Sequence, residues 1–287
     1  MGDYAGYETI LVEVDRGVAT LTLNRPDRLN AVNFTMDMEF REAIWALERD
    51  EDVRAIVITG AGKAFCSGFD MEAGSDTFGS DTHARHDQEL GVTSDTISHH
   101  YAYWDMVTPT IVAINGSAVG VGMTLPLMFD VRFVAEEAKL GFVFVRRGVL
   151  PEANSTWLLP RIVGLELALD LLLSGRMFTG REAAEMGLAS RALPRDEVLP
   201  AALDYARDLA ENTAPASVAL AKRLVYRFLQ ETDRAAAMNL ETKLTWWTGE
   251  QPDAIEGVMS FLEKRPPRWS GTKHPDLSSD LHEDLRR

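Results

Sequence analysis

The sequence predicts an α/β protein in which a mainly parallel, layered core is followed by a region built of helices. Strand-like and helix-like segments alternate up to about residue 150, a pattern typical of βα units around a parallel sheet. From Asn154 onward the apolar spacing is helical. We therefore expect a core over residues 1–195, a helical region over residues 196–270 and a disordered tail over residues 271–287.

The individual elements follow from local patterns. Residues 53–59, VRAIVIT, form a continuous apolar run typical of a strand that is buried on both faces. Asn33 is suited to cap a helix whose apolar side chains share one face. Further strands are predicted at 8–14, 18–23, 110–114, 131–135 and 139–145, and further helices at 101–106, 158–163, 165–173, 180–186, 197–211, 217–232, 234–247 and 254–263. Residues 71–98 are polar and lack a period, which predicts a surface loop that could act as a lid.

Composition and charge exclude several classes of protein. The 287 residues are 46% hydrophobic and 25% charged, enough to bury a sizeable core. The chain carries 29 Lys and Arg against 44 Asp and Glu, and the net charge of −15 argues against nucleic-acid binding. The single Cys66, the absence of a secretory pattern near the start and the interrupted apolar runs predict a cytoplasmic protein without membrane insertion.

Two glycine-rich segments each follow a predicted strand directly. They are GAGKAFCSGFDM at residues 60–71 and INGSAVGVGMT at residues 114–124. Glycine allows a ligand to approach main-chain N–H groups closely, so two such loops facing each other could direct two N–H groups at one oxygen. Neither loop has the spacing of a phosphate-binding P-loop or of a dinucleotide fingerprint.

Two further motifs accompany these loops, NRPDRLNAV at residues 24–32 and RRGVLPEANSTWLLPRIVG at residues 146–164. With all four motifs in this order, the sequence resembles the crotonase superfamily, the enoyl-CoA hydratase/isomerase family, over residues 7–269. The resemblance implies a spiral of ββα units with a C-terminal helical trimerisation region, and hence a homotrimer or a dimer of trimers. It also implies an acyl-CoA thioester substrate, no metal, and no cofactor beyond the coenzyme A that is part of the substrate.

The resemblance further implies which residues form the site. The backbone N–H groups of Phe69 and Val121 would form an oxyanion hole for a thioester enolate, in which one donor is worth roughly 3–4 kcal/mol. Arg28 would pair with a phosphate through its guanidinium, and Phe261 and Lys264 would reach a neighbouring subunit's site. The full set of implied substrate and CoA contacts is Arg28, Leu29, Ala31, Ala64, Phe65, Ser67, Gly68, Asp70, Met71, Gly120, Gly122, Thr124, Phe144, Pro151, Phe261 and Lys264.

The chain departs from the hydratases that it resembles at the two positions where those enzymes carry glutamates. Thr124 and Phe144 stand there, and neither side chain is a base at neutral pH. Glu152 is then the leading carboxylate. The apolar side chains of Phe144, Leu150 and Trp157 are expected to wall it and to raise its pKa. A single base suits isomerisation of a 3-enoyl to a 2-enoyl thioester, in which one proton moves between two carbons.

Four alternatives remain open at this stage. The chain could be an enoyl-CoA hydratase of fatty-acid oxidation despite lacking both usual glutamates, an acyl-CoA thioester hydrolase, or a non-catalytic acyl-CoA-binding subunit. Glu152 could instead cap the helix that begins near Asn154. The remaining reactive side chains are predicted to be structural or solvated: Cys66 as a small residue packed under its loop, and His83, His86, His99 and His100 as loop residues that bind no metal.

Overall fold

The computed structural model describes residues 4–72, 74–79 and 102–286 of the chain. Its strands are β1 (Ile10–Asp15), β2 (Val18–Leu23), β3 (Ala55–Gly60), β4 (Ala64–Cys66), β5 (Thr110–Ile114), β6 (Ser117–Val119), β7 (Val131–Ala135), β8 (Lys139–Gly141), β9 (Met177–Thr179) and β10 (Arg191–Leu193). Its α-helices are α1 (Phe34–Arg49), α2 (Val121–Thr124), α3 (Ser155–Val163), α4 (Leu165–Ser174), α5 (Gly180–Glu185), α6 (Arg195–Asn212), α7 (Pro215–Phe228), α8 (Arg234–Gly249), α9 (Pro252–Glu263) and α10 (Ser279–Arg286). Short 3-10 turns connect several of them.

Two sheets, both mainly parallel, form the core. The larger has the strand order β1-β2-β3-β5-β7-β10, and the smaller has the order β4-β6-β8-β9. Within them, β1–β2 and β8–β9 are the antiparallel pairs, and the other pairs are parallel. The mainly parallel α/β core predicted from the alternation of elements is confirmed.

Burial follows the predicted faces. Every residue of β3 is buried, as expected of a central parallel strand. Asn33 caps α1 through a hydrogen bond from the Met36 amide at 3.0 Å, and the helix buries one apolar face against the larger sheet. The Tyr103 ring is also buried and stacks on Phe129 at a centroid distance of 5.2 Å, which places this aromatic residue in the core.

Three expectations about elements were wrong. Residues 101–106 were predicted to be a helix, but the described part is only a 3-10 turn at Tyr103–Asp105. The strand predicted at residues 139–145 ends at Gly141 and gives way to a 3-10 turn at Phe144–Arg147. Between residues 154 and 195 only helices were predicted, yet this stretch also contains β9 and β10. Strands of three residues are too short to show a period in the sequence.

The C-terminal region also differs from its prediction. Helix α6 packs in the same apolar core as the large sheet, so the boundary expected at residue 195 does not separate two cores. A second apolar cluster lies among α7, α8 and α10. The segment predicted to be a disordered tail carries the buried Lys273, whose Nζ donates to the carbonyl of Val53 at 2.9 Å, and then forms α10. Among the described residues, no helix has the length and apolar character needed to cross a membrane.

Candidate active site

The two glycine-rich loops meet at Gly68 and Gly120. Both glycines have a positive φ, 109° and 58°, a backbone conformation that L side chains rarely adopt. A Cβ atom built on Gly120 would lie 3.8 Å from the Gly68 Cα, and one built on Gly68 would lie 3.2 Å from the Val119 carbonyl oxygen. The main chains of the two loops are therefore in close contact at the residues that precede Phe69 and Val121.

The backbone around Phe69 leaves its own N–H group available. Phe69 forms a parallel bridge with Val32, in which the Val32 amide donates to Gly68 O and the Asp70 amide donates to Val32 O, both at 2.8 Å. In such a bridge, the N–H of the central residue points to the opposite side. No described residue accepts a hydrogen bond from it.

The Val121 N–H group is also available, because of its position at the start of a helix. Val121 is the first residue of α2, and the first amides of a helix have no acceptor within the helix. Among the described residues, the Val121 N–H has no acceptor elsewhere either. Within the described part of the chain, the Phe69 and Val121 amides are thus both without an acceptor, and they lie on two loops that touch.

Cys66 lies fully buried beneath these loops. Its Sγ is 3.9 Å from the Gly68 carbonyl oxygen, and burial raises the pKa of the Cys66 thiol to about 12. A protonated, buried thiol is a packing group and not a nucleophile. The predicted role of Cys66 as a small residue under the turn is confirmed.

Glu152 lies next to the second loop. The Thr124 hydroxyl at the end of α2 donates a hydrogen bond to Glu152 Oε1. The pKa of Glu152 is raised to about 7, because burial and, to a smaller extent, the negative charge of Asp37 raise it more than the hydrogen bond from Thr124 lowers it. A carboxyl group with this pKa is present in both protonation states near neutral pH, which suits proton transfer.

The backbone that follows Glu152 is unusual. Ala153 and Asn154 both adopt left-handed conformations, with φ of 53° and 56°, and α3 begins immediately afterwards. Two consecutive non-glycine residues of this kind cost on the order of 1–2 kcal/mol each. The Ser155 amide donates to the main-chain carbonyl of Glu152 at 3.1 Å, while the Glu152 side chain bonds to Thr124. These contacts do not support the alternative that Glu152 caps α3.

The apolar surroundings of Glu152 only partly match expectation. Phe144 is buried, and its Cζ atom would lie 3.9 Å from a Cβ built on Gly120, so its ring borders the second loop. Pro151 is also buried. Leu150, expected to wall the carboxylate, is 79% exposed and points to solvent. Phe69, on the first loop, contacts the Phe78 ring edge-on at a centroid distance of 6.2 Å.

The segment 28–31 and the first loop are neighbours, as the resemblance implied. The Ser67 amide donates to the Leu29 carbonyl at 3.1 Å. Arg28 is exposed and forms an ion pair with Glu72, so a phosphate would have to compete with that carboxylate. Leu29 and Met71 are exposed, whereas the side chains of Ala31, Ala64 and Phe65 are buried. These last three residues can offer a ligand only their main chain.

Arg25 and Asn30 organise this region, although sequence reasoning did not single them out. Asn30 is fully buried with φ of 55°, and its Nδ2 donates to the carbonyls of Ala61 and Ala64, both at 2.9 Å. Arg25 forms an ion pair with Asp70 at 2.9 Å. Contact of Asp70 with the ligand stays a prediction, and its carboxylate links the first loop to Arg25. Both Arg25 and Asn30 belong to the NRPDRLNAV motif, and this was the signal in the sequence that could have identified them. Asparagine also tolerates the left-handed conformation better than most residues.

Phe261 and Lys264 lie in the C-terminal region, apart from Glu152 and the two loops. Phe261 is 81% exposed on α9, and Lys264 ends that helix in a left-handed conformation. Phe261 lines a cavity of about 640 Å³ to which only residues between 214 and 276 contribute. Within one chain, therefore, the structure does not bring these two residues together with the rest of the predicted site.

The four histidines that were expected to bind no metal lie in the predicted loop or directly after it. His83, His86, His99 and His100, and the larger part of the predicted loop at residues 71–98, lie outside the described residues. Within the ranges that the structure describes, no group of three or more His, Cys, Asp and Glu side chains could hold a metal ion.

Comparison with known proteins supports the family. The family described as enoyl-CoA hydratase/isomerase matches residues 13–272. The chain is 38% identical over 266 residues to enoyl-CoA hydratase ACTT3 of Alternaria alternata, covering 90% of this chain and 84% of that one. It is 34% identical over 268 residues to 1,2-epoxyphenylacetyl-CoA isomerase of Escherichia coli, covering 92% and 99%.

Solved structures agree with this assignment. The crystal structure of a probable enoyl-CoA hydratase/isomerase from Mycobacterium abscessus superimposes with a TM-score of 0.82 at 39% identity, over 91% of this chain and 98% of the other. The fold is thus that of the crotonase superfamily. The chain belongs to the enoyl-CoA hydratase/isomerase family, and it is an enzyme of the hydratase/isomerase type.

Proposed function

We propose that this enzyme isomerises 3-enoyl-CoA to 2-enoyl-CoA thioesters with Glu152 as its single base. The observation that carries the proposal is the position of Glu152, which is held by Thr124 on the helix that starts with the oxyanion donor Val121. At the two positions where the resembled hydratases place glutamates, this chain has Thr124 and Phe144.

The proposed reaction has two proton transfers. The thioester oxygen accepts hydrogen bonds from the N–H groups of Phe69 and Val121, and the Glu152 carboxylate removes a proton from the α-carbon. The electron pair of that C–H bond forms a dienolate, whose charge the two donors stabilise. Protonated Glu152 then returns the proton to the γ-carbon, and the double bond becomes conjugated with the carbonyl. Atoms and charge balance without a further cofactor, since coenzyme A belongs to the substrate.

The pKa of Glu152 supports both halves of this cycle. With a pKa of about 7, the carboxylate that starts the cycle and the carboxylic acid that ends it differ little in free energy at neutral pH. A base with an ordinary pKa would return the proton readily but would remove it poorly.

Hydration is the second candidate, and the name of the relative from Alternaria alternata favours it. Syn addition of water needs one group that deprotonates the water and another that protonates the α-carbon. Glu152 would have to serve both purposes. Thioester hydrolysis with a water activated by Glu152, and acyl-CoA binding without turnover, remain further alternatives. We also propose a cytoplasmic homotrimer or dimer of trimers, in which Phe261 and Lys264 would approach a neighbouring site.

A panel of thioesters tests the proposal. Purified enzyme is incubated separately with 2-enoyl-, 3-enoyl- and 3-hydroxyacyl-CoA, and products are separated by mass and retention time while free thiol is recorded. The proposal predicts conversion of the 3-enoyl ester to the conjugated ester without free thiol. Conversion of the 2-enoyl ester to the hydroxyacyl ester as the faster reaction would favour hydration, free thiol would favour hydrolysis, and tight binding with no product would favour a binding subunit.

A further inference from the structure

We infer that Thr124 is a positioning residue that holds one carboxylate oxygen of Glu152 and leaves the other to move the proton. This inference rests on the proposed role of Glu152 as base. Thr124 stands where the resembled hydratases carry a glutamate, and its hydroxyl cannot replace a base at neutral pH. The structure gives the hydroxyl a different task, because it donates to Glu152 Oε1.

The geometry leaves the hydroxyl one good acceptor. Thr124 is fully buried, and its Oγ1 also lies 3.5 Å from the Val121 carbonyl oxygen, which is too long for a strong hydrogen bond. A hydroxyl has a single proton to donate, and the Thr124 hydroxyl donates it to Glu152. The backbone directly after Glu152 is also restricted, because Ala153 and Asn154 are both left-handed.

This contact joins the base to the oxyanion hole through a rigid connection. Thr124 and Val121 are the last and first residues of the four-residue helix α2. The hydrogen bond therefore fixes the carboxylate relative to the Val121 N–H, and hence relative to the thioester carbonyl that this donor would bind. Correct placement of a base relative to the reacting carbon contributes a large part of catalysis.

The Thr124 hydroxyl also affects the protonation state of Glu152, because the surroundings of this carboxyl group disfavour its charged form. Two neighbouring elements present titratable groups to Glu152. Helix α1 carries Asp37, which forms an ion pair with Arg41 at 3.4 Å, and β4 carries Cys66. The burial of Glu152 and the charge of Asp37 both disfavour the carboxylate form, whereas the Thr124 hydroxyl favours it. Without the hydroxyl, a smaller fraction of the enzyme would carry an ionised base at neutral pH.

The test compares Thr124→Val, which keeps the shape of the side chain without the hydroxyl, with Thr124→Ser, which keeps the hydroxyl. We expect kcat for the 3-enoyl thioester to fall about 10- to 100-fold in T124V, because the variant loses one hydrogen bond to a charged group. Acyl-CoA binding should change little. The lower inflection of the pH profile of kcat/KM should move up by about one pH unit. T124S should lie within about threefold of wild type.

A second measurement is independent of turnover. The 13C resonance of the Glu152 carboxyl group, assigned by its loss in Glu152→Gln, reports its titration without substrate. The inference predicts a higher midpoint in T124V and an unchanged one in T124S. If T124V does not fold, Thr124→Ala gives the same comparison.

The outcomes separate the two proposals. If E152Q is inactive but T124V matches wild type in kcat and in both titrations, Thr124 is not a positioning residue, and the inference is wrong while the proposed function stands. If E152Q keeps its turnover, the proposed function itself fails. If T124V and T124S lose activity equally, the hydroxyl is not the important group, and the inference is overturned.

Discussion

A Cβ atom built on Gly122 would lie 2.2 Å from the carbonyl oxygen of Cys66 and 2.9 Å from the Cys66 Cβ. Real Cβ atoms do not approach backbone oxygens so closely, so any side chain at residue 122 would push the second loop away from the first. The spacing between the Phe69 and Val121 amides thus depends on glycine at this position.

This contact predicts the effect of Gly122→Ala on turnover. Displacement of α2 should remove the Val121 N–H from the thioester oxygen, with a loss of about 100- to 1000-fold in kcat. Gly249→Ala is a matched control, because a Cβ at Gly249 meets no atom within 4 Å and should leave turnover unchanged. Steady-state kinetics on the preferred thioester make the comparison, and equal activity of G122A and wild type would show that the donor spacing does not matter.

The raised pKa of Glu152 predicts how Glu152→Gln changes stability with pH. The folded state holds the proton up to about pH 7, above the ordinary value of 4.5, so wild-type stability falls as pH rises through this window. Glutamine has no charge to bury and escapes this loss. We expect the free energy of unfolding of E152Q, relative to that of wild type, to increase by about 2 kcal/mol between about pH 5.5 and pH 8.

Urea unfolding at the two pH values measures this difference. Glu182→Gln is a control of opposite sign, because hydrogen bonds from Thr179 lower the pKa of the exposed Glu182. E182Q should lose stability relative to wild type once Glu182 ionises. A stability difference between E152Q and wild type that does not depend on pH would contradict a raised pKa at Glu152.

The hydrogen bonds of Asn30 predict that Asn30→Ala weakens both the fold and the CoA-binding segment. The substitution leaves the Ala61 and Ala64 carbonyls and the Arg25 amide without their partner, and it puts alanine in a left-handed conformation. We expect a loss of about 2–3 kcal/mol of stability and a higher KM for the thioester. Asn212→Ala, at an exposed site on α6, should change neither quantity; an N30A enzyme with wild-type KM and stability would refute this role.

The buried hydrogen bonds of Lys273 predict that the C-terminal segment stabilises the core. The Lys273 Nζ donates to the carbonyls of Leu47 and Val53 at 3.2 and 2.9 Å and to Thr108 Oγ1 at 2.9 Å. Lys273→Met should leave these buried acceptors unsatisfied and cost about 1–3 kcal/mol by urea unfolding. Lys243→Met, which breaks only an exposed ion pair with Asp284, should cost less than about 1 kcal/mol. Equal losses in the two variants would show that burial of Lys273 contributes nothing.

The sequence was most informative where a pattern is local. The buried run of β3 and the capped, one-sided helix α1 could be predicted because their signals lie within six and sixteen residues. The glycines of the two loops pointed to Phe69 and Val121 because their spacing matches a family motif. Neither amide has an acceptor among the described residues, and the two loops that carry them touch.

Long-range partners could not be predicted in the same way. Lys273 falls in the segment that was predicted to be a disordered tail, since chain termini are usually poorly ordered. Its acceptors at residues 47, 53 and 108 are distant in the chain, so no local pattern indicates them. The partner of Glu152 is Thr124, 28 positions earlier, and nothing in the sequence links the two residues. The helix-capping alternative for Glu152 was reasonable by proximity alone, and only the direction of the side chain argues against it.

The most direct test of the account is the turnover of 3-enoyl-CoA by wild-type enzyme and by E152Q, followed by the absorbance of the conjugated thioester. The proposed mechanism predicts measurable isomerisation by wild type and a loss of about 1000-fold or more in kcat in E152Q, with acyl-CoA affinity retained. Isomerisation by E152Q within a few-fold of wild type would contradict the assignment of Glu152 as the base.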